Sequence, residues 1–202
     1  MFPPHKQHIL FIGNGASVLQ HKNGAEIDSG KYIVARFNNF KISGFEDYVG
    51  TKTQLHLRRS CDDVTMYPPQ YFTKIINFVT YGKWTAGMRT VAQNLKGVYR
   101  DNIINVPDVE CAGYGTAAKL EQPNIEWASI GLLALAWFTT HFPDNKFTAI
   151  GFEFLKAGIS GPTHYFAKPP KDACYHNADK EENYLRTLPI NFLADPLTSL
   201  NS

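Results

Sequence analysis

Gly13-Asn14-Gly15-Ala16-Ser17, Glu26-Ile27-Asp28-Ser29, Val34-Ala35-Arg36-Phe37-Asn38 and Gly44-Phe45-Glu46, closing on Val49-Gly50-Thr51-Lys52-Thr53, form one stretch of the chain. An apolar run, His8-Ile9-Leu10-Phe11-Ile12, leads into it. A strand that ends in a glycine-bracketed asparagine has the form of a phosphate- or nucleotide-holding turn. Glycine has no Cβ to block an anion and accepts positive φ. A second apolar run, Tyr32-Ile33-Val34-Ala35, ends in Arg36-Phe37-Asn38-Asn39. Two strand ends then deliver Asn14 and Asn38 to one edge of a sheet. An amide both donates and accepts, which suits a base, a ribose or a phosphate.

The 202 residues suit one domain, alone or with an elaborated lid. With 44% hydrophobic and 19% charged residues, the composition is neither disordered nor membrane-like. The net charge of +2 gives no argument for nucleic acid. Cys61, Cys111 and Cys174 are scattered, without metal spacing, and read as reduced thiols. Met1 to Lys6 holds no apolar signal core, and the longest apolar run, Ile130 to Phe138, is about half a membrane span. The expectation is a soluble protein, cytoplasmic or peripheral to the inner membrane face.

Strands are expected at 8–12, 31–36, 54–57, 75–79, 103–106 and 146–150. Helices are expected at 85–98, 127–141 and 178–188. Strands alternating with helices argue an α/β fold with a mostly parallel sheet flanked by helices. The segment 152–175 is rich in Gly, Pro, Lys and aromatics and reads as a lid-like loop.

The glycines at 13 and 15 begin a dinucleotide fingerprint that fails at Val18. Arg36 and Asn38 stand where a ribose-binding acid would end the second strand, which disfavours an NAD-type oxidoreductase. Asn14 and Asn38 keep a plainer alternative as turn and strand-end residues. Ser129 reads either as a simple helix N-cap or as the opening of an anion-holding helix terminus. His164 and His176 fall in the late segment. His176 lies five residues before Glu181, which is not a same-face helical pair, so it is placed just ahead of the helix. An imidazole is a ready base or phosphate partner near neutral pH. No zinc spacing, P-loop or Gly-x-Ser-x-Gly occurs, and Asp62-Asp63 lacks the Asp-x-Asp spacing of many metal-dependent sugar transferases.

In this order the segments resemble glycosyltransferase family 29, the sialyltransferases. The stretch 13–53 is similar to its large motif, Ser129-Ile130-Gly131 through Gly151-Phe152 to its small motif, His164-Tyr165 to its third motif, and His176 with Glu181 to its very small motif. The resemblance implies a single Rossmann-like, GT-A-type catalytic domain over 1–202. It implies inverting transfer of sialic acid from CMP-Neu5Ac to an acceptor oligosaccharide, with no metal and no other cofactor. Asn14, Gly15 and Asn38 would hold CMP, and Ser129 and Gly131 would line the cytidine site. His164 and Tyr165 would meet the donor phosphate, and His176 would deprotonate the acceptor hydroxyl. Ser17, Arg36 and Glu181 would support them. The bacterial sialyltransferases of family 42 are the nearest alternative, and CMP-Kdo is a second possible donor. A non-catalytic nucleotide- or glycan-binding module is the non-enzyme reading.

The sequence departs from the family in two ways. Animal members pair a cysteine of the large motif with one of the small motif; here those positions are Ile9 and, roughly, Phe142. This points to a cytoplasmic, bacterial enzyme. Ile130 replaces a threonine of the small motif. Acceptor choice is expected in loops at 58–70, 108–126 and 153–175, reduced or differently built in a chain this short.

Overall fold

The computed structural model describes residues 6–61, 63–68, 72–80, 85–120, 128–153, 164–166, 176–193 and 197. Seven strands form one sheet: β1 (His8–Ile12), β2 (Ile33–Phe37), β3 (Leu55–Arg59), β4 (Lys74–Phe78), β5 (Ile103–Val106), β6 (Lys146–Ile150) and β7 (Asn191–Phe192). Their order is β5-β4-β3-β2-β1-β6-β7, and every pair is parallel. Strands covered on both faces need apolar residues at successive positions rather than at alternate ones. This is why β1 reads as an unbroken apolar run.

The chain lays β1 to β5 outward in one direction, then returns to place β6 on the other side of β1. The order therefore reverses between β1 and β6. In such a sheet the crevice beyond the carboxyl ends of those two strands is the natural ligand site.

The central helix of one face is α5 (Ile130–His141), whose residues Leu132 to Thr139 are all buried. A helix apolar all round must be covered all round. It packs on Ile9, Phe11, Leu55, Leu57 and Phe78 of the sheet. It is flanked by α4 (Asp108–Ala117) and α6 (Ala178–Leu185). The other face carries α1 (Gly24–Asp28), α2 (Glu46–Val49) and α3 (Thr85–Tyr99).

Two expectations need correction, and one strand was not foreseen. Residues 108–117 are helix, not acceptor loop; Gly113 and Gly115 lower helix propensity there, and packing of Cys111 and Tyr114 supplies what propensity lacks. The final helix stops at Leu185, and the Thr187 and Leu188 amides turn back three residues in a tight turn. β7 is too short to carry a pattern. The lid-like reading of 152–175 falls largely outside the described residues, as do Asp62 and Cys174. Cys61 and Cys111 are free thiols.

Much of the 13–53 stretch is internal bracing. Asp28 accepts from the amides of Thr51 and Lys52 and from the Thr51 hydroxyl, at 2.8–3.0 Å. Arg36, 1% exposed, donates to the carbonyls of Val49, Gly50 and Lys52 and to Thr53 Oγ1. Burial lowers its pKa to about 10, still charged at neutral pH. Gly24 lets α1 meet α2, since a Cβ there would lie 2.1 Å from the Glu46 carbonyl oxygen.

Candidate active site

The crevice is built where the loops after β1 and β6 cross. The Gly13 amide donates to the Ile150 carbonyl (2.8 Å) and the Gly15 amide to the Gly151 carbonyl (3.0 Å). A Cβ on Gly13 would sit 2.3 Å from the Gly151 oxygen, and one on Gly15 would sit 2.7 Å from it. Gly151 itself has φ +69°. These glycines are thus required by the close approach of two strand ends. Their backbone meets the neighbouring loop, a reason for glycine that the sequence reading did not foresee.

Asn14 and Asn38 stand on adjacent strand ends. The Asn14 side-chain nitrogen donates to the Phe37 (3.2 Å) and Asn39 (3.1 Å) carbonyls. Both its hydrogens are thereby engaged, and Oδ1 remains as an acceptor. Asn38 has φ +42°, a left-handed conformation that asparagine tolerates. It is held at three points: its amide donates to Leu57, its carbonyl meets His56 Nε2 at 2.8 Å, and its Oδ1 accepts from the Arg59 amide. Its side-chain nitrogen, a donor, has no partner among the described residues. His56 is buried, and that burial pulls its pKa down to about 4, so it holds Asn38 as a neutral imidazole.

His164, Tyr165 and Phe166 lie against this edge. The Tyr165 amide donates to the Asn14 carbonyl (2.8 Å), its hydroxyl bonds the Lys41 carbonyl, and its ring packs on Phe45. Tyr165 therefore docks the segment and sets His164 beside the β1 turn. Burial holds the His164 imidazole below its ordinary pKa.

The other side of the site begins at α5. Ser129 caps that helix, its Oγ accepting from the Leu132 amide at 3.1 Å. The Ser129 amide and hydroxyl both donate to the Glu181 carboxylate, at 2.8 and 2.5 Å. His176 stands just before α6, its Nδ1 3.7 Å from Glu181 Oε1. Glu181 is 3% exposed. Burial raises its pKa to about 7, against the lowering effect of the two Ser129 bonds. The amides of Ile130 and Gly131 remain at a helix amino terminus, where partial positive charge collects.

Phe152 joins the two sides. Its ring lies 3.2 Å from the Cβ position of Gly131 and 3.0 Å from that of Gly13, and it packs edge-on against Phe37. Sequence reasoning placed Phe152 only as a motif end, since an aromatic after a strand is ordinarily core. His56, Phe152 and Glu153 are the site-forming residues it missed. Glu153 accepts from the Ser17 amide at the start of the 3-10 turn Ala16–Gln20, fixing Ser17. Arg36 supports the site only at a distance, through the 49–53 turn. Among the described residues no group of three His, Cys, Asp or Glu could hold a metal ion.

Residues 7–94 match glycosyltransferase family 29, the sialyltransferases. The family 29 match takes in β1 to β4 with Asn14 and Asn38; Ser129, His164 and His176 lie beyond it. The fold agrees with a mammalian sialyltransferase crystal structure at a TM-score of 0.67 and 18% identity, over 94% of this chain and 69% of that one. A mammalian sialyltransferase in complex with Gal-beta-1-3GalNAc-ortho-nitrophenol gives 0.65 at 18% identity, over 94% and 70%. No curated protein matches the sequence.

Proposed function

We propose that this chain is a sialyltransferase that moves sialic acid from CMP-Neu5Ac to a hydroxyl of an acceptor glycan, with inversion and without a metal. The observation that carries the reading is the His176–Glu181–Ser129 arrangement beside the paired asparagines. It puts a candidate base next to a helix terminus suited to a nucleotide, with Phe152 packed against both Gly131 and Gly13, and among the described residues Asn38 Nδ2 and Asn14 Oδ1 have no partner.

In this reading the Asn38 side-chain nitrogen and the α5 amino terminus hold the anionic CMP group. His176 has Nδ1 facing Glu181, and in this reading its Nε2 meets the acceptor. Nε2 takes the proton of the acceptor hydroxyl as its oxygen bonds to the anomeric carbon. The bond from that carbon to the phosphate oxygen breaks, and its electron pair leaves with CMP. Glu181 steadies the imidazolium that forms. CMP departs as a monoester dianion, so hydrogen-bond donors can take the stabilising role that a metal plays elsewhere. His164, neutral in its half-buried setting, gains a proton beside that dianion and bonds it. Among the described residues no helix is long and apolar enough to cross a membrane.

The test is CMP release by the purified protein from CMP-Neu5Ac, with and without a galactose-terminated acceptor and with and without EDTA. Acceptor-dependent release that survives EDTA is expected. No release with any acceptor would overturn the reading, and release from CMP-Kdo alone would reassign the donor.

A further inference from the structure

A nucleoside monophosphate carries a diol as well as an anion, and nothing at the end of β2 answers that diol. Arg36 is spent on the 49–53 turn, and Asn38 offers a donor rather than a charged acceptor. In a doubly wound sheet a carboxylate near the phosphate-holding turn commonly takes the ribose hydroxyls. Here the topology supplies one from the opposite side. β6 is the neighbour of β1, and the residues that follow it are Gly151, Phe152 and Glu153.

The Glu153 carboxylate lies against the β1 turn. A Cβ on Gly15 would sit 2.9 Å from its Cδ and 3.0 Å from Oε1. One oxygen accepts from the Ser17 amide, which fixes the group without neutralising it. The second oxygen has no partner among the described residues. Asn14, the residue before Gly15, has its amide hydrogens engaged by two carbonyls and so presents Oδ1. The crevice between β1 and β6 is therefore flanked by two acceptors, one of them charged and half-buried. Two acceptors call for a ligand face made of donors, and a cis-diol is such a face. The other carboxylate of the site, Glu181, is buried beneath Ser129 and not available for this task.

We propose that Glu153 is the ribose-reading residue of the site, accepting hydrogen bonds from the 2′- and 3′-hydroxyls of the bound nucleotide. This rests on the nucleotide reading given above. Glu153 touches substrate but no reacting atom, so it sets affinity and discrimination rather than the chemical step.

The experiment is calorimetric titration of CMP, 2′-deoxy-CMP and 3′-deoxy-CMP into the wild-type protein, Glu153→Gln and Glu153→Ala. The wild type is expected to prefer CMP over at least one deoxy analogue by about tenfold or more. Glu153→Ala should lose that preference by weakening CMP alone, and Glu153→Gln, which keeps an acceptor for the Ser17 amide, should lose most of it. A purely bracing role would weaken all three ligands alike, and that result overturns the proposal. So does a preference that survives in both variants, or a wild type indifferent to the sugar hydroxyls. If Glu153→Ala fails to fold, Glu153→Gln decides. A wild type that binds no CMP at all strikes the nucleotide reading itself, whereas CMP binding without ribose discrimination strikes only this one.

Discussion

Ser129 and Glu181 are 52 positions apart in the chain, yet Ser129 gives both its amide and its hydroxyl hydrogen to the one Glu181 carboxylate. The same hydroxyl oxygen caps α5. One side chain thus ties the amino terminus of α5 to the helix that positions His176.

Removing that hydroxyl should cost stability twice. Ser129→Ala loses a helix cap, about 1 kcal/mol, and strips a donor from a buried carboxylate, about 1–3 kcal/mol. Urea unfolding should show the sum. A loss under about 0.5 kcal/mol would mean that the two helices do not depend on this link.

The Glu181 proton gives a stability signature. Its pKa in the folded protein is about 7, against 4.5 for the ordinary group. The folded state therefore holds more protons than the unfolded state between those values, and stability falls as pH rises through that window. The effect is on the order of 3 kcal/mol. Glu181→Gln, which cannot ionise, should lose this fall. Unfolding midpoints at pH 5 and pH 8 for both proteins settle the matter; equal slopes would count against it.

His164 should make donor-site affinity pH-dependent. Its imidazole is held below the ordinary pKa by burial, and a bound phosphate dianion raises it. The complex then binds more protons than the free protein, so CMP should bind more tightly as pH falls from 8 toward 6.5. Below about pH 6 CMP begins to lose its second charge and the trend should flatten. The His164→Gln variant should lose most of this dependence between pH 8 and 6.5, keeping only what Glu181, with its pKa of about 7, contributes.

His176→Ala should lower turnover at least about a hundredfold, the worth of a general base, while CMP affinity stays within about twofold of wild type. Near-normal turnover would remove His176 from the mechanism. Loss of CMP affinity as well would make it a binding residue.

How much of this was legible beforehand differs from residue to residue. Asn14 and Asn38 are placed by the apolar runs that precede them, because a strand fixes where its last residue goes. Ser129 as a cap and His176 ahead of its helix follow from local rules of the same kind. Glu153 was out of reach because an acid is sought after the second strand, and only the reversal of strand order makes this residue, three past the end of β6, a neighbour of Gly15. His56 was hidden by its surroundings: in Leu55-His56-Leu57 it looks like any core position, and its bond to Asn38 spans two strands. Gly13 and Gly15 were seen as glycines for a sound reason, but their close approach to Gly151 could not be read from the sequence.

Gly151→Ala tests that neighbour. A left-handed φ costs a non-glycine residue about 1–2 kcal/mol, and the new Cβ would also sit 2.9 Å from the Gly13 oxygen. A loss of at least about 2 kcal/mol is expected, with weakened CMP binding in whatever folds. Unchanged affinity in the folded fraction would show that the crossing of the two loops does not shape the crevice.

That crossing also sets a schedule. β1 is made first and pairs with β2 within a few dozen residues, but its other edge waits for β6, as His8 aligns with Lys146. Until the ribosome has passed that point, β1 is an unprotected border strand and the crevice has one wall. Closing so long a loop is an entropic step that later contacts must repay. Premature termination before β6 therefore yields a chain with no half-working site, and the exposed edge of β1 marks it for aggregation or removal.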